Sequence, residues 1–453
     1  MAISVMLESA MIVLLHGWSD RSESFKPLAA ELARLGLQDI VPIYLGDYVS
    51  MDDDVSFDDI AQAMHAAWRK AGLPMTPRAV DVVVHSTGAL VIRHWMTRYF
   101  TPASNPVRRL LMLAPANFGS HLAHKGVSFL GRIAKGFQSD RLFHTGERIL
   151  RGLELASPFT WELARKDRLQ DGPAWYGSGR VLATVLVGTD GYSGISAAAN
   201  TSGSNGTVLV STANLEPAFA RFDFATDPSK PLLDIRAANG KTAFCRLPKE
   251  NHSTIAGKDK GFRNPTTLQL IRRALSVADA GFDAHCQDLA TLNAQHRREE
   301  QAKSYTQGYQ NTVIYVEDDH GVPVRDYFIE VFAKQASKNV VDQRTTTLLQ
   351  REVMASVHTN KIEAASRSLK MNCDILQTQL MQSLRPLFLS VTAHPEIRDT
   401  GSVGYSTIAY NDIGSIRIDV NELGQIFRAD RTLFVHLMIK RMQLEKLVRF
   451  QKL

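Results

Sequence analysis

The chain has 453 residues, 44% hydrophobic and 22% charged, a globular composition too apolar for a disordered polymer. This length predicts two or three domains, each with a core of its own. With 52 Lys and Arg against 46 Asp and Glu the net charge is +6, which fits a solvated basic surface, attraction to anionic lipid or attraction to nucleic acid. No apolar run approaches the roughly 18 residues of a membrane-spanning helix. The first basic residue is Arg21, so no charged n-region precedes an apolar stretch. Synthesis in the cytosol is expected, with any export by a route that leaves no N-terminal mark. Cys245, Cys286 and Cys373 are too far apart for a zinc site or a disulfide framework.

In chain order, Met11 to Leu15 reads as a buried strand and is followed by His16-Gly17-Trp18. A helix over Phe25 to Leu35 ends at Gly36, and Ile40 to Leu45 is the next strand. Ser56 precedes Phe57-Asp58-Asp59, an N-cap with an acid at N3, and Ile60, Met64 and Trp68 repeat at helical spacing up to Gly72. Val80 to Val84 is a strand broken only by Asp81, Ala89 to Phe100 a helix, and Leu110 to Leu113 and Val181 to Val187 further strands. Buried strands alternating with helices predict a mostly parallel, doubly wound α/β sheet over residues 1–282. Residues 283–310 are polar and helix-forming, a connector. Beyond them period two takes over. Leu369, Met371, Cys373 and Ile375 alternate with polar residues, as do Ile416, Ile418 and Val420, and Leu433, Val435, Leu437 and Ile439. Residues 311–453 therefore predict an antiparallel β-sandwich-like domain.

Three local patterns carry chemistry. In Val83-Val84-His85-Ser86-Thr87-Gly88 a buried strand runs into a serine, then a glycine, then a helix. A sharp turn there lifts the Ser86 hydroxyl towards a cleft and leaves N–H groups free at the helix start. Val84 stands where such turns usually have a first glycine, and its branched side chain crowds the turn. His16-Gly17-Trp18 closes the first strand, and the Trp18 N–H can join that of Thr87 around a tetrahedral oxyanion. Asn251-His252-Ser253 lies in a polar loop after the last strand of the α/β region. Each pattern taken alone also has a plain reading: a structural turn, a strand end with a buried Trp, a surface histidine.

Taken together, Leu14 to Ser19, Val83 to Gly88, Ala114 to Ser120, Gly203 to Val208 and Glu250 to Ile255 resemble the α/β-hydrolase superfamily. The resemblance is to its bacterial lipases and phospholipases, including lipase effectors of type VI secretion. It covers about half the chain and implies Ser86 as nucleophile, His252 as general base and the Trp18 and Thr87 N–H groups as oxyanion hole. It also implies an Asp in the loop where this chain has Asn205. An Asn orients an imidazole through its carbonyl in papain-like enzymes but cannot neutralise an imidazolium. Asp190, just after a strand, is the carboxylate expected to stand in.

The stretch 120–172 reads as a cap. Phe129, Leu130, Ile133 and Phe137 share one helical face, and Lys125, Arg132, Lys135, Arg141, Arg148 and Arg151 are interleaved. The pattern suits either a buried crossover helix or an apolar face towards acyl chains with a basic rim for anionic headgroups. Asp47, Asp52, Asp53, Asp54, Asp58 and Asp59 match no EF-hand spacing, and no metal or other cofactor is expected. The tail adds Arg431, Lys440, Arg441, Lys446, Arg449 and Lys452. The expected activity is carboxylic ester hydrolysis on lipid through an acyl-enzyme on Ser86, with peripheral contact to anionic membrane and no nucleic-acid partner. A soluble esterase or thioesterase and a catalytically weak binding module are the alternatives. Acyl chain, headgroup and oligomeric state are left open.

Overall fold

A computed structural model of the chain describes residues 11–15, 25–37, 39–45, 53–123, 146–227, 231–258, 261–302, 308–335, 340–380, 386–393, 404–405 and 416–442. The chain divides into two compact units. One comprises residues 1–154, 159–216 and 238–306, the other residues 155–158, 217–237 and 307–453.

The first unit has the α/β-hydrolase fold. Its strands are β1 (Met11–Leu15), β2 (Ile40–Ile43), β3 (Val80–His85), β4 (Val107–Leu113), β5 (Leu182–Gly188) and, after an excursion described below, β8 (Ala243–Leu247). They form one sheet in the order β2-β1-β3-β4-β5-β8, parallel throughout. Every residue of β3 and β5 is buried, as the continuous apolar runs require of a sheet covered on both faces. Asp81, the interruption in β3, is neutralised by Arg108 at 3.2 Å and Arg109 at 2.8 Å.

Helices fill the connections: α1 (Lys26–Arg34), α2 (Phe57–Lys70), α3 (Gly88–Tyr99), α4 (Glu147–Leu153), α5 (Pro158–Asp167), α6 (Val210–Ala213), α7 (Pro265–Ser276) and α8 (Phe282–Ala302). The Ser56 and Asp59 side chains close a reciprocal capping box at the start of α2, which accounts for Asp59 in the acidic cluster. Asp58 pairs with His94 and Arg98. Asp47 and Asp52 lie outside the described residues.

Residues 283–302, read from sequence as part of a connector, are most of α8, and α8 covers the free edge of β8. Asn293 Oδ1 accepts from Arg246 N at 3.0 Å, and His296 Nδ1 donates to Arg246 O at 2.8 Å. Glu300 forms an ion pair with the Arg246 guanidinium at 2.5 Å and accepts from Thr189 Oγ1 at 2.5 Å. Side chains thus take the place of a neighbouring strand at an edge that would otherwise pair with another chain.

Residues 217–237, grouped by the sequence reading with the first domain, belong to the second unit. They form the antiparallel hairpin β6 (Ala218–Asp223) and β7 (Leu232–Ala237). Six strands of this unit make a sheet in the order β11-β12-β9-β16-β6-β7, using β9 (Tyr309–Asp318), β11 (Met354–Thr359), β12 (Ser366–Asn372) and β16 (Thr432–Ile439). The sheet is mixed, not purely antiparallel, because β16 runs parallel to both β9 and β6. Alternation reports which face of a strand is buried and carries no information about the direction of its neighbours. A second, antiparallel sheet joins β10 (Tyr327–Ala333), β13 (Leu387–Ala393) and β15 (Ile416–Ile418), and β14 (Gly404–Tyr405) pairs with β17 (Arg441–Met442). Ile314, Val316, Leu433 and Val435 of the larger sheet share one core with Leu387, Leu389, Val391 and Ile418 of the smaller.

Among the described residues no helix is long and apolar enough to cross a membrane.

Candidate active site

Ser86 occupies the turn between β3 and α3 with φ +56°. Side chains other than glycine rarely adopt this left-handed conformation, which stores about 1–3 kcal/mol where the surroundings enforce it. Here they do. Ser86 N donates to Leu113 O at 3.2 Å, and Ser86 O accepts from Ala89 N and Ala116 N, each at 3.2 Å. Val84, suspected of crowding the turn, is fully buried between Leu15 of β1 and Met112 of β4, so its bulk packs into the sheet and leaves the turn clear. The Thr87 N–H donates to no acceptor among the described residues and sits at the N-cap of α3, where a developing negative charge is favoured. Trp18, with His16 and Gly17, lies outside the described residues.

His252 meets the serine: its Nε2 is 3.1 Å from Ser86 Oγ, across 166 positions of sequence. Ser86 is half-buried and His252 buried. The His252 backbone is held on both sides. Its N–H donates to Asn205 O at 3.0 Å, and its C=O accepts from His85 Nε2 at 2.8 Å. The His85 and His252 rings lie 4.6 Å apart. His85, seen in the sequence only as a neighbour of the serine, therefore ties the turn of the nucleophile to the loop of the base.

Glu250 is a second residue whose part the sequence did not reveal. Although an acid, it is buried. Its carboxylate accepts from Thr254 Oγ1 at 2.5 Å and from Thr267 Oγ1 of α7 at 2.6 Å, and its backbone O accepts from Asp190 N at 3.0 Å. Asn251 Oδ1 accepts from Ser253 N and Thr254 N, each at 2.9 Å. The spacing Glu-Asn-His-Ser-Thr was the available signal, since an Asn followed by hydroxyl residues closes local turns. At the end of β5, Gly188 lies so close to this loop that a Cβ there would be 2.2 Å from Glu250 O.

The two acid candidates differ in place. Asn205 is fully buried and its backbone carbonyl holds His252, but its side chain is turned to its own loop. Oδ1 accepts from Thr207 N at 3.1 Å and Val208 N at 2.8 Å. Both lone pairs of that oxygen are thereby used, so the amide carbonyl is not free to orient the imidazole as in papain-like enzymes. Nδ2 is buried and has no hydrogen-bond partner among the described residues. Asp190 is exposed, and its carboxylate accepts from Lys249 N at 3.2 Å, not from His252. The structure thus brings together Ser86, Thr87, His252 and Asn205 and leaves Asp190 on the outside of the His252 loop.

Of the cap, residues 124–145 lie outside the described residues, including its apolar face and Lys125, Arg132, Lys135 and Arg141. Arg148 and Arg151 are exposed and face acids, Asp54 at 3.9 Å and Glu147 at 2.5 Å. In the tail, Arg441 pairs with Asp318, and Lys446, Arg449 and Lys452 lie outside the described residues.

A parallel β2-β1-β3-β4-β5-β8 sheet with a left-handed serine after its central strand and a histidine on the loop after its edge strand defines an α/β-hydrolase fold. Residues 12–179 match the model of the alpha/beta hydrolase family. Over the full length, the chain is similar to phospholipase PlaB from Legionella pneumophila, with 23% identity over 97% of this chain and 96% of that one and a TM-score of 0.78. The same phospholipase in complex with thio-NAD matches with 23% identity over the same shares and a TM-score of 0.74. At this identity the likeness speaks for the fold, including that of the second unit. No protein with a curated description matches the chain significantly.

Proposed function

We propose that this protein hydrolyses carboxylic ester bonds of lipids, as a lipase or phospholipase A, through an acyl-enzyme on Ser86. The observation that carries the reading is the 3.1 Å approach of His252 Nε2 to the hydroxyl of a serine held at φ +56°. A strained serine within hydrogen-bond reach of an imidazole is the arrangement that activates a hydroxyl for acyl transfer. In this mechanism His252 takes the Ser86 proton as Oγ attacks the acyl carbonyl. The Thr87 N–H, with that of Trp18 on the family pattern, stabilises the oxyanion. His252 then protonates the leaving alcohol, and water releases the acyl group by the same steps. Lipid as the substrate class is supported by the full-length likeness to a phospholipase.

Residue 205 is the acid position of this reading, and Asn205 weakens it. The only polar group its side chain has left is a donor. With no negative charge and no free acceptor, it cannot stabilise the imidazolium that forms when His252 takes the serine proton. With residue 205 read as the acid position, the protein as encoded is a slow hydrolase.

A fluorophosphonate probe and a lipid panel test the reading together. Labelling at Ser86, with release of fatty acid from phospholipid or triacylglycerol that Ser86→Ala abolishes and His252→Ala reduces equally, is expected, because members of one catalytic unit are not additive. Turnover confined to short soluble esters would favour an esterase, and an unlabelled Ser86 a binding module. Since the Legionella phospholipase has been captured with thio-NAD, a nicotinamide dinucleotide belongs in the panel as an added ligand.

A further inference from the structure

We propose that Asn205 is a site of spontaneous deamidation and that its conversion to Asp switches the hydrolase on. The inference rests on reading residue 205 as the acid position. Asn205 is followed by Gly206, the residue that least hinders attack of its own backbone nitrogen on the preceding side chain, because it has no Cβ. In that attack the Gly206 nitrogen bonds to Asn205 Cγ, the N–H proton passes to the departing amide, and ammonia leaves a cyclic imide. Water then adds to Cγ, the Cγ–N bond breaks, the peptide N–H is restored and residue 205 is a carboxylate. Water is the sole co-reactant.

Three features of the loop favour this course. Thr207 N and Val208 N both donate to Asn205 Oδ1, at 3.1 and 2.8 Å. They polarise the Cγ carbonyl and are already aimed at the oxygen that becomes negative during attack, the arrangement that stabilises tetrahedral oxyanions elsewhere. After ring closure the same two donors still activate Cγ, so water is steered to the carbonyl whose opening gives Asp rather than the chain-lengthened isoaspartate. The leaving group is unrestrained, since Nδ2 finds no acceptor among the described residues. The attacking nitrogen is held only by a long 3.3 Å bond to Ser204 Oγ.

The chain carries its own control. Its other Asn-Gly pair is Asn239-Gly240, where the hydrogen bonding is reversed. Asn239 Nδ2 donates to Gln170 O at 3.0 Å and to Gly172 O at 2.7 Å, which pins the group that must leave. One pair is set up to react and the other to resist. The product also suits its place. Residue 205 already holds the His252 backbone, and a carboxylate there has acceptor capacity beyond the two N–H groups on Oδ1, which the amide lacks.

The test ages the full-length wild-type protein at mildly alkaline pH and follows two readouts: peptide mass at 205 and at 239, and turnover of one short-chain ester. The amide-to-acid mass gain is expected at 205 well before 239. Turnover is expected to rise in step towards the level of Asn205→Asp, about 10²- to 10⁴-fold above fresh protein. Asn205→Asp should start at the plateau, and Asn205→Gln, which must close a larger ring, should stay low throughout. An amide at 205 that outlasts the one at 239 overturns the proposal, as does a mass gain at 205 with no rise in turnover while Asn205→Asp is fast. If Asn205→Asp is itself inert and Ser86 in it unlabelled by fluorophosphonate, the hydrolase reading fails, and the activation with it.

Discussion

Gly188→Ala tests how the fold positions the base without touching a reacting group. Gly188 ends β5, and a Cβ there would meet Glu250 O at 2.2 Å, Glu250 C at 2.5 Å and Asn251 N at 3.0 Å. All three are backbone atoms, so no side-chain rotation relieves the clash. To reach ordinary contact the 250–252 backbone must retreat by roughly an ångström, and it carries His252 with it. The retreat also strains the bond from Asp190 N to Glu250 O, now 3.0 Å. Overpacking of this kind costs about 1–3 kcal/mol in stability. A misplacement of about 1 Å in a catalytic group costs about 10² in rate. The expected outcome is a kcat for a short-chain ester reduced about a hundredfold, with KM nearly unchanged and a modest fall in melting temperature. An alanine variant with wild-type kcat and wild-type melting would refute the argument, because it would mean that the His252 loop is not fixed by its approach to β5.

Three further outcomes are expected. His85→Phe keeps a buried ring but removes the donor to His252 O, so kcat should fall about 10- to 100-fold at constant KM; partial recovery in His85→Gln, which keeps a donor, separates positioning from packing, and an unchanged kcat in His85→Phe would dismiss the tether. Burial pushes the imidazole of His285, bonded to Thr184 Oγ1 at 3.0 Å, down from 6.5 to about 4. The unfolded chain takes up that proton first as pH falls, so this contribution to stability is complete above pH 6.5 and is lost as pH drops towards 4; thermal melts against pH should show a slope that His285→Gln flattens, and equal slopes would exclude His285 as its source. Finally, if the +6 charge serves a lipid surface, binding to vesicles containing anionic lipid should weaken between low and physiological salt, where exposed charges are screened over about 8 Å; salt-independent binding would leave only a solvated basic surface.

What the sequence determined by itself was whatever short-range pattern encodes. Continuous apolar runs such as Val80 to Val84 marked buried parallel strands, the Ser56 and Asp59 spacing marked a capped helix, and a small-residue turn after a strand marked Ser86. These follow from side-chain periodicity and local backbone sterics, which need no distant partner. Tertiary structure alone decided what depends on which residues meet. Hairpin 218–237 could not be assigned to the second unit from its own residues, because its parallel partner β16 lies some 200 positions further on. The places that Asn205 and Asp190 take around His252 were closed to the sequence for the same reason. Both follow strands at plausible distances, and only the folded chain turns Asp190 to Lys249 and solvent while it buries Asn205 beneath the His252 backbone. Composition hid the parts of His85, Glu250 and Gly188 as well, since a hydrogen bond to a backbone carbonyl, a buried acid between two threonines and a missing Cβ acquire meaning only from the group that packs against them.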